Sequence, residues 1–177
     1  LFEMLVPKLR VNTVFDIPLE ELYIKGYRGI ITDLDNTLVG AKAPLATPEL
    51  LLWFEKVKQF GFKLIIVSNN NMNRVSRFAT PLNIGFVHQA RKPSNAPFRK
   101  AMKQMELSPE QTIVVGDQML TDVYGGNRLG LHTVLVLPIS VKDEGIGTRI
   151  NRRIEQIALT RLRKQGLWHE HEEEKLK

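Results

Sequence analysis

Short apolar runs alternate along the chain with segments whose apolar residues recur at helical spacing. The runs at 29–32, 62–67, 84–88, 112–115 and 131–137 are too short for helices, and largely lack the in/out alternation of a half-exposed strand. They read as strands buried on both faces. Between them, Thr47-Pro48 looks like an N-cap with proline in the first turn. It opens a helix through Leu50, Leu51, Phe54 and Val57 that Gly61 stops. A polar helix is expected over 72–79, broken at Pro81, and Ser94 is placed to cap another running to Met105. Ser108-Pro109-Glu110-Gln111 has capping-box spacing and suits a single turn. Residues 121–129 read as a helix weakened by Gly125 and Gly126, and 148–165 as the final helix. Phe2, Leu5, Val6 and Leu9 share helical spacing, although Pro7 limits any helix there. The alternation predicts a three-layer, doubly wound parallel α/β sheet of about five strands. Residues 1–28 form a preamble, 1–168 a single domain, and 169–177 a disordered acidic tail.

The chain has 177 residues, 43% of them apolar, enough for one domain with a sizeable core. It has no cysteine, which removes a disulfide framework, a thiolate zinc site and a cysteine nucleophile, and suits a reducing compartment. No apolar run approaches the ~20 residues of a membrane-spanning helix, and no signal-peptide pattern is present. A cytoplasmic protein is the expectation. Net charge is +6, and the tail from His169 holds four Glu against two Lys, so the rest carries +8. A basic body suits an anionic substrate, an anionic membrane surface or nucleic acid; a merely basic soluble protein has the same composition.

The polar residues with chemical potential cluster where the strands should end. Asp33 and Asp35 follow the first strand, Ser68 and Asn69 the second, and Arg91-Lys92-Pro93 the third. Asp117 follows the fourth, with Asp122 five residues later. In a doubly wound sheet these ends converge on one crevice, where such folds bind ligands. Two unit charges 4 Å apart repel by ~4 kcal/mol at an effective dielectric of 20, so the acids must take up protons or share a cation. Hard oxygen ligands without His or Cys favour Mg²⁺. Taken singly, Asp117 reads as a helix cap, Ser68 as a strand-end cap and Lys92 as a surface lysine.

In their order, these motifs resemble the haloacid dehalogenase (HAD) superfamily of aspartate-nucleophile phosphatases. Asp33-Leu34-Asp35-Asn36-Thr37, Ser68-Asn69, Lys92, and Gly116-Asp117 with Asp122 match its four motifs. Within it the chain is most similar to the YqeG-type subfamily of class IIIA. The matching strings are Val67-Ser68-Asn69-Asn70-Asn71, Ala90-Arg91-Lys92-Pro93, and Val115 to Gln118 running through Thr121-Asp122-Val123 to Gly130. The resemblance implies strand order 3-2-1-4-5, with Asp33 as the nucleophile that becomes an aspartyl-phosphate and Asp35 as the general acid and then base. It implies Mg²⁺ held by Asp33, the Asp35 backbone carbonyl and Asp117, with Ser68, Asn69 and Lys92 binding phosphate. Asp122 would orient ligands or Lys92, and Thr37 would shape the loop. Arg91 is either a substrate contact or an exposed surface arginine.

Neither site where HAD enzymes insert a cap domain has room for one: residues 38–47 are few, and 72–91 hold one helix and one strand. A capless, open site suits phosphate on a bulky molecule, unless a neighbouring subunit of a homo-oligomer supplies a lid. YqeG-type proteins resemble mitochondrial phosphatases of phosphatidylglycerophosphate, which implies a lipid head group as substrate, in phosphatidylglycerol or cardiolipin synthesis at the inner face of a membrane. The rivals are a phosphatase of soluble metabolites, a nucleic-acid 3′-phosphatase, and a non-catalytic HAD-like binding module. No aromatic-interleaved basic patch recommends nucleic acid. In the last helix Ile150, Ile154, Ile157 and Ala158 form an apolar stripe among Arg149, Arg152, Arg153, Arg161, Arg163 and Lys164. A basic amphipathic helix can lie on an anionic bilayer. The favoured expectation is that this stripe packs on the sheet.

Overall fold

The computed structural model describes residues 2–169. The expected acidic tail, apart from His169, lies outside them. Six strands form the sheet: β1 (Leu9–Val11), β2 (Gly29–Thr32), β3 (Lys63–Val67), β4 (Gly85–Val87), β5 (Thr112–Gly116) and β6 (His132–Val136). The order across the sheet is β4-β3-β2-β5-β6-β1, and every neighbouring pair is parallel. The five expected strands stand in the expected order, and β1 adds a sixth at the edge. Three residues with Arg10 in the middle leave no periodic signature, and as an edge strand β1 pairs with β6 alone. The preamble also holds a short helix, α1 (Leu19–Ile24), and a 3₁₀ turn at Phe2–Leu5.

Successive residues of the central strands face opposite layers. Ile30 packs with Leu50, Trp53 and Val57 of α2 (Pro48–Gln59) and with Val75 and Phe78 of α3 (Met72–Ala79). Its neighbour Ile31 packs with Phe98, Ala101, Met102 and Met105 of α4 (Asn95–Met105). Each fully buried side chain of this size stabilises the fold by roughly 1.5–3 kcal/mol, which clamps the strand ends between two rigid layers. Thr47 caps α2 by accepting from the Leu50 N–H at 3.1 Å, and Asn71 caps α3 by accepting from Arg74 N–H at 2.9 Å. Ser94 precedes α4 without a side-chain capping bond.

The segment expected as a helix over 121–129 begins earlier, as a π-helical turn at Met119–Val123, and continues as α5 (Tyr124–Asn127). Its glycines are there for packing. A Cβ at Gly125 would lie 2.6 Å from the Phe98 ring, and one at Gly126 would lie 2.6 Å from Thr133 Cγ2. The last helix, α6 (Ile146–Lys164), buries Glu155, Ala158 and Leu162. Ala158 and Leu162 meet Leu5, Met119 and Trp168 in a third cluster that the N-terminal turn completes. The expected stripe therefore divides. Ala158 faces the core, while Ile150, Ile154 and Ile157 face solvent. The physical reason is that the stripe mixed two faces: 3.6 residues per turn puts Glu155, Ala158 and Leu162 on one line and the isoleucines on another. Among the described residues no cap domain is inserted. Residues 33–47 form a loop, and only α3 and a 3₁₀ turn (Thr80–Leu82) separate β3 from β4.

Candidate active site

Register alone assembles the site. Thr32 is level with Ile66 on one side and Val115 on the other, so Asp33, Ser68 and Asp117 leave the sheet together at its carboxyl edge. A cavity of about 380 Å³ opens there, and Asp33, Asp35, Ser68, Asn69 and Lys92 line it. Asp33 accepts from the Leu34 N–H at 2.8 Å. Lys92 Nζ lies 3.2 Å from Asp33 Oδ1 and 2.6 Å from Asp122 Oδ1. All three of these side chains are buried. Burial pulls Lys92 down, but the Asp122 and Asp33 carboxylates outweigh it and hold the ammonium above its usual range. Burial pushes Asp33 up to about 8, against the pull of Lys92 and with the repulsion of Asp122 and Asp117 adding to it. Lys92 is thus a fixed positive charge between two carboxylates, not the surface lysine it resembles in isolation.

The remaining predicted residues have specific partners. Thr37 reaches across the sheet edge, its hydroxyl donating to Asp117 Oδ1 at 3.0 Å. Asn69 Oδ1 accepts from the Lys92 backbone N–H at 2.7 Å, so this amide sets the lysine's entry angle. Ser68 Oγ is buried and accepts from the Asn70 N–H at 3.1 Å. Gly116 makes room for Asp122: a Cβ there would sit 2.1 Å from the Asp122 carboxyl carbon. Arg91 is exposed and lies outside the set of residues lining the cavity.

Sequence reasoning missed two groups. The first fixes Asp35. Arg74 donates to Asp35 Oδ1 from Nε at 3.0 Å and Nη2 at 2.9 Å, and Asn70 Nδ2 donates to Asp35 Oδ2 at 2.8 Å. Arg74 also donates to the Ala43 carbonyl at 2.6 Å, tying the loop after Asp35 to α3. The second group comes from the C-terminal segment. Asn36 adopts a left-handed backbone (φ 63°), a conformation asparagine tolerates better than most residues. Its Nδ2 donates to Glu144 at 3.1 Å, and its carbonyl and side-chain oxygens accept from Ile139 and Ser140 N–H. Arg152 of α6 then bridges Glu144, at 2.7 Å, and the Asp117 carboxylate. The segment 139–148 and the start of α6 thereby wall one side of the cavity, through Asp143, Glu144, Gly145 and Thr148. The capless crevice is less open than the sequence suggested. A signal existed in Arg152, but its five basic neighbours on the helix made it look like surface charge.

A cation fits this arrangement. Carboxylate oxygens of Asp33, Asp117 and Asp122 lie within 4.8 Å of one another, and all three residues are buried. Burial and the nearby Asp122 charge push Asp117 up, against the pull of Arg152 and Thr37. Lys92 engages Asp122 and Asp33, and Arg152 engages Asp117, so a metal here would share its carboxylates with these cations. An all-oxygen donor set suits a hard divalent ion.

Comparison with known proteins places the chain. Residues 89–142 match the HAD-hydrolase-like family. The probable phosphatase YqeG of Bacillus subtilis is 49% identical over 161 residues, covering 91% of this chain and 93% of that protein. A chloroplastic/mitochondrial phosphatidylglycerophosphate phosphatase of Arabidopsis thaliana is 29% identical, and the chain spans 50% of its length. In fold, the cobalt-bound deoxy-D-mannose-octulosonate 8-phosphate phosphatase of Haemophilus influenzae superposes with a TM-score of 0.53 at 17% identity, over 81% of this chain and 91% of that one. Among the described residues, no helix is long and apolar enough to cross a membrane. With a curated relative at this identity across nearly its whole length, and a sheet edge carrying the matching motifs, the chain belongs to the YqeG-type phosphatases of the HAD superfamily.

Proposed function

We propose that this phosphatase hydrolyses a lipid phosphomonoester of the phosphatidylglycerophosphate type through an aspartyl-phosphate on Asp33, with Mg²⁺ as its ion. The observation that carries the catalytic reading is the buried Lys92 ammonium, 3.2 Å from Asp33 Oδ1 and 2.6 Å from Asp122 Oδ1. It places a permanent positive charge beside the carboxylate that would meet the phosphoryl group. The lipid reading is supported by the likeness to the plant phosphatidylglycerophosphate phosphatase.

An Asp33 oxygen attacks phosphorus, and the bond from phosphorus to the ester oxygen breaks. The leaving alkoxide takes a proton from the Asp35 carboxyl group. Water then attacks the aspartyl-phosphate, giving its proton to Asp35, and the bond from phosphorus to Asp33 breaks to release phosphate. Lys92, the Ser68 hydroxyl and the backbone N–H groups beyond Asp33 and Ser68 stabilise charge on the phosphoryl oxygens in both steps. Asp33, Asp117 and the Asp35 carbonyl would hold Mg²⁺, which when bound supplies Lewis-acid neutralisation of the phosphoryl group. Asp122 holds Lys92 in place, and Arg74 and Asn70 hold Asp35.

The test is phosphate release from phosphatidylglycerophosphate in mixed micelles against a panel of soluble phosphate esters, with and without Mg²⁺. The expected result is Mg²⁺-dependent release from the lipid at a kcat/KM well above that for any soluble ester. Turnover of soluble esters with none of the lipid would sink the substrate. An Asp33→Asn variant that keeps its activity would sink the nucleophile.

A further inference from the structure

The solvent-facing side of α6 is apolar where a surface helix is normally polar. Ile146, Ile150, Ile154 and Ile157 are 79%, 53%, 47% and 58% exposed. Their spacing places them on one side of the helix, about a third of a turn from the buried line of Glu155, Ala158 and Leu162. Leu137, Ile139 and Val141, on the segment leading into α6, are exposed as well. Scattered exposed apolar residues are ordinary, but four isoleucines sharing one face of a helix form a stripe. Cations accompany it. Arg149, Arg153 and Lys164 are exposed on α6, while the helix's single acid, Glu155, is buried.

The geometry points to this face as the surface on which the enzyme docks on an anionic lipid bilayer. Three observations select that occupant. The face pairs exposed isoleucines with cations and offers no exposed acid of its own helix, which matches acyl chains beneath negative headgroups. A second copy of the chain related by two-fold symmetry would bring the same cations face to face, and that repels. Finally, the patch borders the site. Gly145 and Thr148 line the catalytic cavity, and Ile146 between them is the most exposed isoleucine of the helix. A headgroup phosphate rising from a bilayer under α6 therefore has a short path to Asp33. In purpose this inference rests on the lipid substrate proposed above, but it is tested without that substrate.

The experiment is co-sedimentation of the full chain with vesicles of phosphatidylcholine alone and of phosphatidylcholine with about a third phosphatidylglycerol. Neither contains a phosphomonoester. Two double variants are compared, Ile150→Asp with Ile154→Asp, and Arg149→Gln with Arg153→Gln. Hydrolysis of p-nitrophenyl phosphate monitors the fold and the site. The expected result is binding to the anionic vesicles that falls about tenfold or more in each double variant, with p-nitrophenyl phosphate turnover kept. Equal wild-type binding to both vesicles, no binding to either, or variants that bind like wild type would overturn the inference. So would light scattering that shows a dimer which the isoleucine variant dissolves while vesicle binding stays unchanged. Vesicle binding without phosphatidylglycerophosphate hydrolysis would remove the substrate and leave the docking face. Hydrolysis without vesicle binding would do the reverse.

Discussion

Arg152 joins α6 to the carboxyl end of β5: its Nη1 donates to the Asp117 backbone carbonyl at 2.7 Å, and its Nη2 to the Asp117 carboxylate. The same guanidinium holds the buried carboxylate of Glu144 at 2.7 Å. Asp117 is also one of the acids proposed to hold a metal, so a fixed cation and a bound one would act on the same group. Replacing Arg152 by Met leaves two buried carboxylates without their partner, and loss of one member of a buried pair costs about 3–5 kcal/mol. Urea denaturation of Arg152→Met without metal is expected to show a loss of that size. Adding Mg²⁺ should raise its melting temperature more than it raises wild type, because the ion takes over part of the neutralisation. Equal metal-induced shifts in the two proteins would refute the shared role. Arg152→Lys restores charge without the planar fork, and should recover only part of the stability.

Asp35 has a comparable support in Arg74, which donates twice to one of its oxygens. A general acid contributes about 10²–10⁴-fold, so the role proposed for Asp35 predicts that Asp35→Asn lowers kcat on a soluble ester by that range. Arg74→Gln keeps Asp35 but frees its side chain, and kcat should fall by about tenfold or more with KM for the same ester little changed. Steady-state kinetics on p-nitrophenyl phosphate reads both. A rise in KM at constant kcat would instead make Arg74 a substrate-binding residue.

What the sequence disclosed and what it concealed follow from the range of the interactions. The runs ending at Asp33, Ser68 and Asp117 were legible because burial on both faces writes an unbroken apolar string, and strand ends in this fold share one edge. The capping box at Ser108 and Gln111 was legible because its bonds are local. Strand β1 was hidden because its three residues are ordered by pairing with β6, more than 120 positions away. Arg74 and Arg152 were hidden for a related reason. Their partners Asp35, Asp117 and Glu144 are assembled by topology, and an arginine on a helix looks the same in sequence whether it faces water or a buried acid. The isoleucines of α6 misled because an apolar stripe is usually read as a core face, whereas this core face is built from Glu155, Ala158 and Leu162.

Gly116 is required by the neighbour it faces. A methyl group there would lie 2.1 Å from the Asp122 carboxyl carbon. Asp122 would have to leave the 2.6 Å contact with Lys92 that fixes the ammonium beside Asp33. Gly116→Ala should therefore destabilise the protein by about 1–3 kcal/mol, as overpacking does, and lower kcat on any substrate. Gly40→Ala is the matched control, since nothing lies within 4 Å of a Cβ at that position. Thermal denaturation and turnover of the two variants side by side decide it. Equal behaviour would mean that Asp122 can shift without consequence.

Glu155 gives the fold a dependence on pH. It lies on the buried face of α6, accepts from the Leu120 N–H at 3.0 Å and stands 3.7 Å from Arg152. Burial outweighs both partners and pushes it from the ordinary 4.5 up to about 7. A carboxyl group raised on folding holds a proton that the unfolded chain releases, so its contribution is fully present below about pH 4.5 and is lost as pH rises to about 7. Glu155→Gln keeps an oxygen for Leu120 and cannot ionise. The stability of this variant relative to wild type should increase by about 1–3 kcal/mol between pH 4.5 and 7 and stay level above that. Differential scanning fluorimetry of both proteins across this range reads the effect as a widening gap in melting temperature. A gap that stays constant with pH would show that Arg152 and Leu120 keep Glu155 ionised in the folded protein throughout.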